Sequence, residues 1–138
     1  MTTANAEVYT SLLQHFARYF DACDRCDIDA VVEIMAGATI GVGDTALSDP
    51  AAIREMYSSR QAAPLADGRR LTKHHVTNLL VESLEPLEGG ELSATVYYFR
   101  LQPGESGPYV AASGRLNEVV AREGDRWRVI RHSIVSDF

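Results

Sequence analysis

The chain of 138 residues is poor in lysine and has no long apolar segment. Lys73 is the single lysine among 13 basic residues, and 19 acidic residues bring the formal net charge to −6. Such a chain has no excess of basic side chains for a phosphate backbone, so we expect no nucleic-acid partner. No apolar run approaches the roughly 18 residues that span a bilayer, and the N-terminus lacks the basic flank and apolar core of a signal peptide. We therefore expect a cytoplasmic protein with no membrane partner.

Cysteine is scarce as well, and the two that occur, Cys23 and Cys26, form a Cys-x-x-Cys motif. In redox proteins of the thioredoxin type, this motif opens a helix that follows a strand. Here the motif lies near the end of an amphipathic segment instead. A structural zinc site would need two further ligands at suitable spacing, and the sequence shows none. We therefore expect two helical thiols that lie partly in the core, and no metal ion.

Length and composition are those of an ordinary folded domain. Hydrophobic residues make up 46% of the chain and charged residues 23%, which are typical globular values. A chain of this length favours one domain over two and buries enough surface for a core of its own. We therefore expect a single domain over residues 1–138.

The first 60 residues predict three helices and one short strand. The first helix runs from about Ala6 to Cys26, because apolar side chains recur there at spacings of three and four. Asp27 would cap a second helix that ends at Met35, and Asp49-Pro50 would begin a third. Between the second and third helices, Ala38 to Val42 predicts a short strand.

Beyond the helices, the apolar period changes to two, which is typical of strands. Gly-rich turns at 88–90, 103–107 and 124–125 separate four predicted strands, Arg70 to Ser83, Leu92 to Gln102, Tyr109 to Arg122 and Trp127 to Val135. Gly114, inside the third of these strands, suggests a bulge or a sharp bend. Helices followed by a meander predict an α+β fold, with three N-terminal helices packed on a strongly curved antiparallel sheet. Such a sheet closed by a long helix forms a cone that encloses a pocket.

Four segments in this order resemble the SnoaL-like branch of the NTF2-like superfamily over nearly the whole chain. They are residues 19–30 with an Asp-x-x-Asp-x-Asp helix junction, residues 49–57, residues 72–78 with the pattern Thr-x-His-x-x-x-Asn, and the final hairpin at 122–130. The resemblance implies the NTF2-like cone fold. Proteins of this branch include polyketide cyclases, scytalone dehydratase, a dehydrochlorinase and the β-subunits of ring-hydroxylating dioxygenases. The fold hosts many chemistries and also proteins without catalytic activity.

The resemblance also implies a pair of catalytic residues. The similar dehydratase and dehydrochlorinase have an Asp late in the first helix, matching Asp24, and a His on the strand after the third helix, matching His74. A histidine whose one ring nitrogen is held by a carboxylate presents the other nitrogen as a base. The residues by themselves leave a plainer alternative open, in which Asp24 only ends the helix and His74 is a satisfied core histidine.

The remaining candidates are substrate-binding residues. Strand alternation places Asn78 on the face of His74, where an amide could orient a substrate carbonyl or hydroxyl. Tyr19 lies in the first resembling segment. One of Tyr97 and Tyr98 must face the cavity, and the sequence leaves open which; Tyr98 is the candidate, with a phenol that could donate to a developing oxyanion. His132 lies near the position where the dehydrochlorinase has a cationic Arg, and would act as a second acid or hydrogen-bond donor.

These expectations combine into a cofactor-independent acid/base enzyme of the dehydratase, cyclase or isomerase type, acting on a small, largely apolar molecule. His74 would be the base and Asp24 would orient it. Two alternatives stay open, a non-catalytic subunit resembling a dioxygenase β-chain and a small-ligand-binding module. In each case we expect a symmetric homodimer, because apolar side chains on two strand faces leave surface to cover.

Overall fold

The computed structural model describes residues 3–83 and 90–138 of the chain. The described residues form α1 (Thr3–Asp24), α2 (Ile28–Ile34), β1 (Thr39–Val42), β2 (Thr45–Leu47), α3 (Pro50–Arg60), β3 (Lys73–Val81), β4 (Glu91–Gln102), β5 (Tyr109–Glu123) and β6 (Arg126–Ser136). The predicted order of three helices and then a meander of four long strands is confirmed. Most of the turn predicted at 88–90 lies outside the described residues.

Two aspartates cap helices as their positions predict. The Asp27 carboxylate accepts a hydrogen bond from the Ala30 backbone N–H at 3.1 Å, at the start of α2. Asp49 does the same for Ala52 at 3.0 Å, with a proline in the first turn of α3. The first helix ends two residues earlier than predicted, because Cys26 adopts a left-handed backbone conformation with φ of 54°, which a right-handed helix cannot continue.

The six strands form one mixed, open sheet in the order β2-β1-β6-β5-β4-β3. The four long strands pair antiparallel with their chain neighbours, as predicted. The sheet is not antiparallel throughout, however, because β1 pairs parallel with β6. Parallel neighbours need a long connection between them, and α3 with the whole meander supplies it. The three-residue strand β2 was not predicted, since it is too short to show an alternation.

A β-bulge in β3 overturns one predicted face assignment. The pairing of β3 with β4 shifts by one residue between Thr77 and Leu79, and Asn78 has a φ of 47°. A bulge places one unpaired residue in the strand and reverses the alternation beyond it. Leu79 is therefore buried and Leu80 is 56% exposed, whereas an unbroken alternation would place Leu80 and Asn78 together on the face of His74.

Of the two interpretations of Gly114, the bulge is not found there, because the pairing of β5 shifts against β4 between Val110 and Ala112 and against β6 between Val119 and Val120. The structure shows another reason for a glycine at this position. A Cβ atom on Gly114 would lie 2.3 Å from the Val135 carbonyl oxygen and 2.9 Å from the Tyr98 hydroxyl. The missing side chain thus makes room for Tyr98, the cross-strand neighbour on β4.

The core lies between the apolar face of α1 and the sheet, with α1 packed against β3 and β6. Its members from α1 are Leu12, Phe16, Tyr19, Phe20 and Cys23. The remaining helices and the inward-facing strand positions complete the same cluster. None of the described helices is both long enough and apolar enough to cross a membrane.

Candidate functional site

A cavity of about 770 Å³ opens among α1, α3 and the strands β3 to β6. Its volume lies in the range of small-molecule sites in proteins. One part of the lining is apolar and aromatic, and includes Tyr19, Phe20, Met56, Tyr57, Tyr98, Leu116 and Ile134. Polar side chains form the rest of the lining, and His74 is one of them. The fold therefore provides the pocket that the sequence predicted.

His74, which lines this cavity, is in direct contact with Asp24. Asp24 is the last residue of α1, and its Oδ1 lies 2.6 Å from His74 Nδ1. The same carboxylate accepts hydrogen bonds from the His74 backbone N–H at 2.7 Å and from the Thr72 hydroxyl at 2.8 Å. The side chain of Asp24 is 6% exposed and that of His74 is 11% exposed. Two residues that are 50 positions apart in sequence thus form one hydrogen-bonded unit.

The electrostatics of this unit favour an ionised Asp24. Burial alone would raise the pKa of its carboxyl group, but hydrogen bonds from the His74 ring, the His74 backbone and Thr72 outweigh that effect and hold the pKa below its usual value. An ionised carboxylate can only accept hydrogen bonds, so the ring nitrogen of His74 that contacts it must be the donor. A neutral His74 therefore carries its proton on Nδ1, which leaves the lone pair on Nε2. Within the described residues, no hydrogen bond engages Nε2.

Aromatic packing fixes the orientation of the His74 ring. Phe20 stacks on it with a centroid distance of 4.7 Å and an interplanar angle of 17°, and Tyr98 lies tilted against it at 5.8 Å. Tyr98 is buried and lines the cavity, whereas Tyr97 is 40% exposed on the opposite face of β4. Burial raises the pKa of Tyr98, although the charge of Arg100 opposes the shift. Its phenol is therefore neutral and able to donate a hydrogen bond towards the cavity.

Tyr19 also lies where a pocket residue is expected. It lines the cavity, and its hydroxyl is 3.0 Å from that of Tyr57 on α3. Burial raises the pKa of both phenols above the usual value, so both stay protonated and share one hydrogen bond. This pair connects α1 to α3 across the wall of the cavity.

Two predicted substrate-binding residues lie outside the cavity lining. The bulge in β3 turns Asn78 to solvent, so its prediction as a neighbour of His74 is wrong. His132 is fully buried behind Tyr19, with ring centroids 4.9 Å apart. Its Nδ1 lies 2.7 Å from Glu118 Oε1, and the ring is therefore engaged in the core rather than in the pocket.

His132 belongs to a second buried carboxylate–imidazole cluster that the sequence interpretation missed. Glu118 is 2% exposed and lies between two histidines, with His15 Nε2 2.7 Å from its Oε2. Burial would raise the pKa of Glu118, but the hydrogen bonds from His132 and His15 lower it to about 2. A signal was present in the sequence, because Glu118 alternates with Leu116 and Val120 on the buried face of β5.

The two cysteines of the Cys-x-x-Cys motif lie in α1 and just after it. Cys23 is buried in α1, and burial raises the pKa of its thiol to about 12, so the reactive thiolate is scarce at neutral pH. Cys26 follows the helix and forms no disulfide. In the ranges 3–83 and 90–138, no group of three His, Cys, Asp or Glu side chains is arranged to hold a metal ion.

Comparison with known proteins identifies the fold. A family model described as a SnoaL-like domain matches residues 4–132. No curated protein sequence matches the chain. The protein Aln2 from a Streptomyces species has a similar structure, with a TM-score of 0.75 and 23% identity, over 95% of this chain and 91% of that one.

Two similar structures come from Novosphingobium aromaticivorans. A protein provisionally named a scytalone dehydratase has a TM-score of 0.74 and 12% identity, over 100% of this chain and 89% of its own. The β-subunit of a provisionally assigned aromatic-ring-hydroxylating dioxygenase has a TM-score of 0.72 and 12% identity, over 94% of this chain and 89% of its own. At such identities the similarity shows the fold alone.

Proposed function

The chain belongs to the SnoaL-like branch of the NTF2-like superfamily, and from that premise we propose that it is a cofactor-independent acid/base enzyme. Its substrate would be a small, largely apolar molecule with a hydrogen made acidic by a neighbouring carbonyl or similar group. The observation that carries the proposal is the 2.6 Å contact of Asp24 Oδ1 with His74 Nδ1 beside a cavity of about 770 Å³.

Each residue of the pair has a separate role in this proposal. His74 Nε2 takes the proton from the substrate, and Asp24 holds the ring and stabilises the imidazolium that forms. Tyr98 donates a hydrogen bond to the oxygen on which negative charge develops. Loss of water, ring closure or isomerisation would then follow from the same carbanionic intermediate, according to the substrate.

Deuterium uptake tests proton abstraction without knowledge of the natural substrate. The probe is β-tetralone, a bicyclic ketone with acidic hydrogens next to its carbonyl, incubated with the protein in deuterated buffer and followed by proton NMR. The wild type is expected to accelerate uptake at the carbon next to the carbonyl. His74→Gln is expected to lose roughly 100-fold or more of that acceleration, the usual contribution of a general base.

His75→Gln is the matched control, because His75 is the neighbour on β3 and its ring stacks on Phe99 on the opposite face of the sheet, 4.8 Å away. It should retain the wild-type rate. Equal rates in the wild type and in a folded His74→Gln variant, or no acceleration by the wild type, would contradict the proposal.

The alternatives give other outcomes in the same preparation. A small-ligand-binding module would bind β-tetralone in the cavity with no deuterium uptake. A subunit like a dioxygenase β-chain would co-purify with a larger iron-binding chain. The β-chain alternative is favoured by exposed apolar side chains on the strands, where Leu80 is 56% and Tyr97 is 40% exposed.

The same exposed side chains support a symmetric homodimer as part of the proposal, since burial of apolar surface drives association. Light scattering is expected to give twice the mass of 15.1 kDa, and a monomer mass would contradict the dimer. A cytoplasmic location is part of the same proposal.

A further inference from the structure

Arg100 lies directly across the sheet from His74. The two residues are paired in the register of β3 and β4, and both line the cavity. Side chains of directly paired residues on antiparallel strands start roughly 5 Å apart on the same face. Both side chains therefore start on the same face of the sheet and reach the same cavity, although neither composition nor the resembling segments assign Arg100 any role.

The guanidinium of Arg100 lacks a partner among the described residues. Its Nε is buried and has no hydrogen bond, and no ion pair engages the side chain there. Other arginines of the chain are paired with carboxylates, as Arg115 is with Asp137 at 3.0 Å and Arg70 with Asp21 at 2.6 Å. A buried donor without an acceptor costs stability. We therefore expect a ligand to supply the acceptor for Arg100 Nε.

The charges around the cavity have the sign opposite to that of the whole protein. Besides Arg100, the lining includes Arg60 at the end of α3, while Asp44 is the acidic side chain found there among the described residues. The chain as a whole carries a formal charge of −6. Two guanidinium groups beside the aromatic side chains of this cavity favour a ligand that combines a ring system with an anionic oxygen.

We propose that Arg100 forms an anion-binding subsite beside His74, and that the cavity takes small cyclic molecules bearing a carboxylate, phenolate or enolate oxygen. The inference rests on the proposed function, because it names the ligand class of the same cavity. Tyr98 and Gln102 also line the cavity from β4, and they add two further donors along the strand that carries Arg100.

The subsite also has a defined place in the proposed chemistry. When His74 Nε2 removes a proton from carbon, the C–H bond breaks and an N–H bond forms. The electron pair moves into the neighbouring C–C bond, and the carbonyl π electrons move to the oxygen, which becomes an enolate oxygen. Arg100 is then the nearest cation on the neighbouring strand to hold that oxygen, and reprotonation or loss of a leaving group completes the reaction.

Binding of a matched pair of probes tests the inference. Naphthoate and naphthamide share one ring system and nearly one shape, but only naphthoate is charged at neutral pH. Calorimetric titration of the wild type is expected to show naphthoate bound roughly ten- to one-hundredfold more tightly than naphthamide, the usual effect of a hydrogen bond to a charged group. Arg100→Met is expected to abolish this preference.

Arg131→Met is the matched control, because it removes the same charge from an exposed position of β6 outside the cavity lining. It should keep the wild-type preference. The wild type itself separates the two proposals, since a protein that prefers naphthoate but exchanges no deuterium has the anion subsite without the catalysis.

Equal affinities of the two probes for the wild type, no binding of either, or a preference that survives Arg100→Met would overturn the inference. Should Arg100→Met fail to fold, the unmodified protein still decides the question. Titration with naphthoate is expected to shift an arginine Nε–H resonance in nitrogen-edited NMR spectra. The resonance that is missing from the spectrum of Arg100→Lys is the one that belongs to Arg100. An unchanged set of arginine resonances at saturation would contradict the subsite.

Discussion

At the scale of single residues, Asp24 occupies a position that is unfavourable for a carboxylate except in the company of His74 and Thr72. It ends α1, and the C-terminal end of a helix carries the negative pole of the helix dipole. The residue is also buried. Three hydrogen bonds, two of them from His74, offset both costs. The same bonds that stabilise the carboxylate orient the imidazole.

Asp24→Asn is expected to slow the reaction without weakening the binding of the ketone. An amide keeps the shape of the side chain but cannot stabilise an imidazolium by charge, so the maximal rate of deuterium uptake should fall roughly 100-fold, with KM unchanged. Thr72→Val, which removes one neutral donor from the same carboxylate, should cost much less. A raised KM at an unchanged maximal rate would mean that Asp24 only shapes the cavity.

At the scale of elements, the bulge in β3 decides which side chains face the cavity. His74 and Val76 precede the bulge, and Leu79 follows it on the same buried face. Asn78 is the extra residue of the bulge and has a φ of 47°, a conformation that asparagine tolerates better than most residues. An asparagine in the middle of a strand was thus a signal for a bulge, although it was interpreted as a ligand-binding side chain.

Substitutions of Asn78 test the bulge directly. Asn78→Gly should leave the free energy of unfolding within about 1 kcal/mol of the wild type, because glycine adopts this conformation freely. Asn78→Val should lose about 1–2 kcal/mol, since a β-branched residue is strained there. Urea denaturation measures both, and Thr77→Val, at the exposed neighbour before the bulge, is the control. Equal stability of the glycine and valine variants would contradict a left-handed residue at this point.

At the scale of the whole molecule, two buried carboxylate–imidazole units connect α1 to the sheet. Asp24 bonds to β3, and His15 on α1 bonds to Glu118 on β5. Because the pKa of Glu118 falls from 4.5 to about 2 in the folded protein, its contribution to stability is fully present above pH 4.5. That contribution is lost as the pH falls towards 2. The lowered pKa of Asp24 acts in the same direction.

Acid unfolding should therefore depend on Glu118. Between the two pKa values the wild type is expected to lose on the order of 3 kcal/mol of unfolding free energy through this one group. Glu118→Gln should be less stable near neutral pH and should show a flatter pH dependence. The exposed Glu55→Gln variant should follow the wild type. Parallel curves for Glu118→Gln and the wild type, measured by urea denaturation at several pH values, would refute this role.

The sequence predicted the parts of this molecule that depend on local patterns and on a familiar order of elements. The helix starts at Asp27 and Asp49 and the four long strands follow from capping residues and periodicity. The contact of Asp24 with His74 was predicted only through the resemblance, because no local rule joins residues 50 positions apart. The domain boundaries proposed from length stay a prediction.

Features set by a break in periodicity or by packing across strands were not predicted. A bulge moves Asn78 out of the site, and the depth of the core takes His132 away from the cavity. Arg100 was missed because its significance lies in being paired with His74 across two strands. Strand register is a tertiary property, and a single-strand pattern does not contain it.

The central claim is that Asp24 fixes His74, a lining residue of the cavity, with its proton on Nδ1 and its lone pair on Nε2. Histidine side-chain NMR tests it without any ligand, through long-range proton–nitrogen correlations recorded above neutral pH. We predict that His74 is the Nδ1–H tautomer, with a strongly hydrogen-bonded proton that disappears in Asp24→Asn. A His74 ring protonated on Nε2 at that pH, or one whose resonances are unchanged in Asp24→Asn, would contradict the account.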